Sequence, residues 1–374
     1  PHRPYEQLTR ILTSSFLTNG CLKRQKGYQM TLHSEIHEQP DRLANLLSTQ
    51  RNEVERIAGA IRERDIQFVF LAARGTSDNA GRYANYLWGA KNGLPLALAT
   101  PSLFTYYQQP PKIKNALVVG ISQSGQSPDI VSVLKEGQKQ DNLTLAITNE
   151  PDSPLAENAD FILDIQAGDE KAVAATKTYT SQLMSVAMLS AAMSGDSERW
   201  RELEQVSGWA KAVLAHDHVI AQAAQRYRYM EQCVVLGRGY NYATAFEWAL
   251  KLKELTYVAA EPYSSADFKH GPIAVVESGF PIFAIVPTGH VFDSMLGMLK
   301  SLKNELAAEL ILVSNSPEAL ELAQIPIEIS SHIPEWLTPL ISIIPAQLFA
   351  YHLTLAKGYD PEQPRTISKI TETH

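Results

Sequence analysis

Glu247, Lys251 and Glu254 stand at spacings i, i+4 and i+7 in the run AFEWALKLKELTY. On a helix turning about 100° per residue they fall within roughly 60° of one another, a narrow charged stripe. Its flanks are apolar, with Trp248, Leu252 and Leu255 on one side and Phe246, Leu250 and Tyr257 on the other. A surface helix ordinarily sets such a stripe among further polar residues. Carboxylates and an amine confined between apolar flanks describe the wall of a cleft, where burial is tolerated only if the charges are paired. The same spacing also serves solvated helices as i,i+4 and i,i+3 ion pairs, and these residues alone leave both readings open. The segment after them favours the cleft. Glu-Pro-Tyr-Ser-Ser-Ala-Asp should end the helix, and Phe268-Lys269-His270-Gly271-Pro272 then sets a single histidine in a loop bounded by glycine and proline. A helix carboxylate followed by a loop imidazole is an acid–base pair suited to proton transfer.

A second group of residues suits an anion. QFVFLAA (67–73) is an apolar strand that stops at Arg74-Gly75-Thr76-Ser77-Asp78-Asn79, ahead of a helical pattern. Residues 115–121 form another strand, which runs into Ser122-Gln123-Ser124-Gly125-Gln126-Ser127 before a helix near Pro128. Strand, glycine with hydroxyls, then helix is the geometry that aims backbone N–H groups and a helix N-terminus at phosphate. One serine would serve as a cap; Ser122, Ser124 and Ser127 together can ring a phosphate with neutral donors.

These segments lie in a repeated framework. CVVLGRG (233–239) echoes FVFLAARG (68–75), PIFAIVPTG (281–289) echoes ALVVGISQSG (116–125), and AELILVSNS with IPIEIS echoes LTLAITN with FILDI. The offset is about 165 residues throughout, which predicts a duplicated α/β unit with binding loops after parallel strands. The second copy lacks the serine cluster, and the first lacks the charged helix, so the site is expected between the halves. Residues 31–65 read as helix interrupted at Pro40, and 337–358 as a closing helix. The expected divisions are 1–49 (extension and helix), 50–196, 197–358, and a tail over 359–374.

The 374-residue chain is long enough for two sizeable cores. Its net charge of −7 gives no electrostatic case for nucleic acid or an anionic membrane, so an anionic ligand must be held by local features. Two distant cysteines, Cys21 and Cys233, make neither a disulfide framework nor a metal knuckle and fit a cytoplasmic protein. No signal peptide and no apolar run of membrane-spanning length is expected.

The motifs EIHEQP, RGTS, SQSG, VAATKTYTSQL, EWALKLKELTY, FKHGP and EQPR followed by Ser368-Lys369 resemble the sugar isomerase (SIS) family from about residue 33 onward. The likeness is to the isomerase half of glutamine-dependent glucosamine-6-phosphate synthase and to stand-alone deaminases. It implies an α/β fold of two tandem flavodoxin-like SIS domains, parallel sheets flanked by helices, in a homodimer with the site at the subunit interface. It further implies that Gly75, Thr76, Ser77, Ser122, Gln123, Ser124 and Ser127 cradle the phosphosugar, with Val173 and Ala174 as a backbone wall. By the same likeness Glu254 is the base, supported by Glu247 and Lys251. His270 opens the ring from the neighbouring subunit, and Lys369 forms a Schiff base with the ketose. Two departures stand out. The synthase's glutaminase region has no counterpart in the segment before residue 31, and its cysteine before Gly-Thr-Ser is here Arg74. The resulting expectation is a deaminase of glucosamine 6-phosphate using no metal or organic cofactor. Alternatives are a fructosamine-phosphate deglycase, a plain isomerase, an ammonia-fed synthase, or a phosphosugar-sensing module.

Overall fold

The computed structural model describes residues 31–369; the expected extension before residue 31, with Cys21, and the last residues of the tail lie outside them. The first half runs α1 (Thr31–Glu63), β1 (Phe68–Ala72), α2 (Gly75–Asn92), β2 (Leu96–Leu98), α3 (Ser102–Thr105), β3 (Ala116–Ile121), α4 (Pro128–Lys139), β4 (Leu143–Thr148), β5 (Phe161–Asp164) and α5 (Lys177–Ser194). Helices α6 (Ser197–Leu214) and α7 (Asp217–Arg226) lead to the second half. That half comprises β6 (Gln232–Gly237), α8 (Tyr242–Lys251), β7 (Ala259–Ser264), α9 (Ser265–Phe268), β8 (Pro281–Ile285), α10 (Phe292–Asn304), β9 (Glu309–Ser314), α11 (Pro317–Leu320), β10 (Ile325–Glu328) and α12 (Thr338–Ala356).

The duplication is visible in the sheets. One five-stranded sheet has the order β2-β1-β3-β4-β5 and the other β7-β6-β8-β9-β10, and every pairing is parallel. Each is the flavodoxin-like order, whose binding crevice opens beyond the carboxyl ends of the first and third strands. The apolar strands β3, β4, β8 and β9 are buried along their whole length, as a sheet covered on both faces requires. The largest core lies around α5 and α12, one near-wholly buried helix from each half, while two smaller cores lie on the far faces. By length and apolarity the segment Glu335–Ala356 could cross a membrane, contrary to the expectation of no such run. It is instead 83% buried against the rest of the chain.

Other departures from the sequence reading have local causes. Pro40 does not interrupt α1, because the carbonyl of Ile36, which proline leaves without an N–H donor, accepts from the Gln39 side chain at 2.8 Å. The expected boundary at residue 49 consequently falls within one unbroken helix. Strands β2 and β7 are edge strands: β2 is apolar but only three residues long, and β7 mixes polar and apolar residues and tolerates Pro262 at the sheet edge. Helix α2 starts at Gly75, so Thr76 and Ser77 belong to its first turn rather than to a loop.

The Gln39 amide also donates to Gln347 Oε1 at 2.9 Å, tying α1 to α12. Gln39→Leu leaves two buried acceptors without this donor and is expected to lower unfolding free energy by about 1–3 kcal/mol. Urea denaturation at unchanged m-value measures it, and a wild-type midpoint would show that the amide does not hold the helix through Pro40.

Candidate active site

Helix α8 does not continue as an α-helix to Tyr257. After Lys251 it widens into a π-helical turn over Leu252–Thr256, closed by Tyr257 in the left-handed region at φ 59°. Such a turn inserts a residue into the helical ladder and recurs at functional sites. Here it carries Glu254, whose Oε2 accepts from Lys251 Nζ at 2.6 Å.

Lys251 is buried between two carboxylates. Besides Glu254, Glu247 Oε1 lies 3.4 Å from Nζ, and Thr76 Oγ1 accepts from Nζ at 3.3 Å. Glu247 is fully buried and accepts from Thr76 Oγ1 at 3.0 Å and Asn79 Nδ2 at 2.8 Å. The charged stripe of the second half is therefore met by the first turns of α2 from the first half. Burial alone would push the lysine down, but the carboxylates of Glu254 and Glu247 hold it above its ordinary value. One ammonium cannot fully compensate two carboxylates, and the nearer Glu254 claims most of it. Burial then pushes Glu247 up to about 7, opposed by Lys251 and reinforced by the charge on Glu254.

A cavity of about 360 Å³ opens beside this group, lined by Arg74, Gly75, Thr76, Ser77, Ser122, Gln123, Ser124 and Ser127 from the ends of β1 and β3. Val173, Ala175, Thr178 and Gln182 line it too, with Lys251 and Glu254 from the second half and Ile367, Ser368 and Lys369 from the tail. All seven residues assigned to the cradle are thus brought together. Gly125 permits the tight loop between the serines: it sits at φ 61°, where a Cβ would come within 2.0 Å of Ser153 Oγ. Its N–H donates to Ser122 Oγ at 3.1 Å. Ser127 stands at the N-cap of α4, so the start of that helix faces the loop. Arg74 lines the cavity, and its Nε also donates to the nearly buried Asp129 carboxylate at 2.8 Å.

The described part of the tail is held against the π turn. The Arg365 guanidinium lies 4.3 Å over the Tyr257 ring, and its backbone N–H donates to the Tyr257 hydroxyl at 2.9 Å. The residue that closes the π turn therefore also holds the tail that delivers Lys369. In the cavity Lys369 Nζ donates to Glu170 Oε2 at 2.6 Å, and the Glu170 side chain is fully buried.

One assignment differs from the sequence reading, and two further residues stand outside the cavity lining of this chain. Ala174 packs in the core, and Ala175 takes its place on the wall beside Val173. Glu247 lies behind the cavity lining rather than in it. His270 is exposed on its loop and does not line the cavity of its own chain. Sequence reasoning missed Glu170, which accepts from the backbone N–H groups of Thr176 and Thr178 at 2.9 and 3.1 Å as α5 begins. An acidic residue just ahead of a helix start was the available signal. Gln182 was also missed; it is a buried amide on a helix that also carries several buried serines and threonines, so its type alone did not single it out.

Fold and cavity together define a double α/β protein with a hydroxyl-lined cavity and a carboxylate–amine pair on its wall. Comparison with known proteins gives the family. The SIS domain matches twice, over residues 64–192 and 228–357, and the chain belongs to that family. It is 33% identical over 345 residues to the glutamine–fructose-6-phosphate aminotransferase (isomerizing) of Methanothermobacter thermautotrophicus, covering 92% of this chain and 57% of that protein. The enzyme of the same name from Gloeobacter violaceus is also 33% identical, over 94% of this chain and 60% of its own. The chain thus spans somewhat over half the length of these relatives. Among solved structures, the C-terminal domain of glucosamine-fructose-6-phosphate aminotransferase from Francisella tularensis superposes with TM-score 0.81 at 30% identity, covering 90% of this chain and 99% of that one. The glucosamine-6-phosphate deaminase of Thermotoga maritima shares the fold, with TM-score 0.71 at 20% identity over 92% of this chain and 100% of that one.

Ionisation of the buried Glu247 works against the fold. Its contribution is fullest below the ordinary carboxylate value of 4.5 and is lost as pH rises through about 7. Glu247→Gln should therefore show a smaller fall in stability across that window than wild type when both are denatured chemically at a series of pH values. Parallel pH profiles would show that Glu247 is not the titrating group.

Proposed function

We propose that this chain is an amino-sugar phosphate isomerase whose net reaction converts glucosamine 6-phosphate to fructose 6-phosphate and ammonia. The observation that carries the reading is the Glu254 carboxylate on the cavity wall, bonded to a buried ammonium and sharing one cavity with the Ser122–Ser127 loop. The loop and the first turn of α2 receive the phosphate. Gln182 donates to Ser77 Oγ at 3.0 Å, while its buried Oε1 has no hydrogen-bond partner among the described residues, leaving an acceptor for a sugar hydroxyl.

In the open aldose, Glu254 removes the proton from C2 and returns it to C1. A proton from the substrate's ammonium group passes to O1, so that the aldehyde becomes an alcohol and the amine-bearing carbon an iminium. The Lys251 ammonium stabilises Glu254 as a carboxylate before it takes the C2 proton and again after it has given the proton to C1. Water adds to C2 of the iminium, and ammonia departs to leave the ketone. Lys369 stands in the same cavity. Once its proton has passed to Glu170, its amine can take the place of ammonia at C2, and water then frees the ketose and restores the lysine. In this reading a second copy of the chain brings the exposed His270 to the ring oxygen, so the working unit is a dimer.

The 33% identity to glutamine–fructose-6-phosphate aminotransferases favours a second reading, in which the same site runs toward the amino sugar. Supplying fructose 6-phosphate with ammonia, and separately glucosamine 6-phosphate, distinguishes the preferred direction.

Glu254→Gln is expected to lower turnover of glucosamine 6-phosphate by about 10²–10⁴-fold, with sugar-phosphate binding retained by calorimetry. Near wild-type turnover in the variant would remove Glu254 as the base. Binding without any product from the wild-type chain would overturn the enzymatic reading altogether.

A further inference from the structure

Three helices converge on one carboxylate through residues that line no part of the cavity. Asp217 opens α7, His33 and His37 lie near the start of α1, and His352 lies near the end of α12. Asp217 Oδ2 is 2.7 Å from His33 Nε2 and 3.5 Å from His37 Nε2, and its Oδ1 is 2.5 Å from His352 Nε2. The four side chains are partly shielded, between 15% and 36% exposed.

The protons on this cluster are constrained. His37 Nδ1 lies 2.9 Å from the His33 carbonyl oxygen, which can only accept, so Nδ1 carries the hydrogen. In neutral His37 the lone pair of Nε2 then points toward a carboxylate oxygen, which is repulsive unless a cation lies between them. The rings are close together, with the His33 ring centroid 4.3 Å from that of His37 and 6.0 Å from that of His352. A single divalent ion satisfies the carboxylate and the lone pairs with every imidazole neutral.

The donor set is also of the right kind. Histidine nitrogens at i and i+4 on one helix face are a recurrent chelating pair, and imidazole with carboxylate suits zinc. The bond from His37 Nδ1 to a backbone carbonyl is the outer contact that orients metal-binding imidazoles. Ligand atoms of His33, Asp217 and His352 all lie within 4.8 Å of one another. Small ring rotations bring them to the edge of about 3.3–3.5 Å set by a tetrahedral ion with ligands at ~2.0–2.1 Å.

We propose that His33, Asp217 and His352 bind a divalent transition-metal ion, with zinc best suited to the donors, and that His37 completes the site as the fourth ligand. The ion joins α1, α7 and α12. It does so next to the point where the Leu32 N–H donates to Glu362 Oε1 at 3.0 Å, an anchor of the tail that carries Lys369. Its role is to fasten these elements together; it does not touch the substrate cavity.

The full chain, first stripped with a chelator and then titrated with Zn²⁺ by calorimetry, should take up one ion at this site and unfold at higher temperature. Co²⁺ in place of Zn²⁺ should give the visible absorption bands of a four-coordinate nitrogen and oxygen site. His352→Gln and His37→Gln should each weaken binding by at least about tenfold and lose the bands. If His352→Gln does not fold, His33→Gln makes the same comparison. No saturable uptake, or uptake equally tight in these variants, would overturn the proposal.

Discussion

The molecule is organised around one buried ammonium. Lys251 has no water to solvate it, so its position depends on Glu247, Glu254 and Thr76, which come from both halves of the duplicated chain. Removing one partner from such a group costs about 3–5 kcal/mol, because it strands a charge in a medium that cannot solvate it. That cost is a reason for the halves to stay in register, since α2 must face α8 for Glu247 to find Thr76 and Asn79. The same cost keeps a carboxylate at the cavity wall. Of the two carboxylates Glu254 is the one that reaches the cavity, and the π turn is the local distortion that carries it there.

A second consequence is the coupling of the tail to the charged helix. Tyr257, left-handed at φ 59° where the π turn closes, serves as the platform for Arg365. Through that contact the segment carrying Glu254 also positions the segment carrying Lys369. Glu170 then receives the lysine from the opposite half, using a carboxylate already committed to the start of α5. Both amines of the cavity are thus held by acids that other parts of the fold require.

Much of this was legible in the sequence. The apolar runs of β1, β3, β4, β8 and β9 marked the interior of two parallel sheets, because strands covered on both faces must be apolar throughout. Their repetition gave the duplication, and the hydroxyl clusters after β1 and β3 gave the cradle. What remained hidden depended on three-dimensional contacts. Pro40 continues α1 only because Gln39 supplies the missing donor, which no propensity records. Strands β2 and β7 are edge strands whose burial pattern resembles that of loops. The π turn and the role of Glu170 arise from packing between segments distant in sequence. Which alanine of Val-Ala-Ala faces the cavity, and the exposure of His270, likewise depend on tertiary geometry.

The central claim is that Glu254 moves a proton at C2 of a bound amino-sugar phosphate. Its most direct test is nuclear magnetic resonance of glucosamine 6-phosphate turning over in D₂O. The account predicts that the C2 proton signal is lost as fructose 6-phosphate and ammonia form in equal amount, and that the proton appears at C1 of the ketose except where it has exchanged for deuterium on Glu254. A substrate that saturates the protein yet keeps its C2 proton, with no ketose formed, would contradict it.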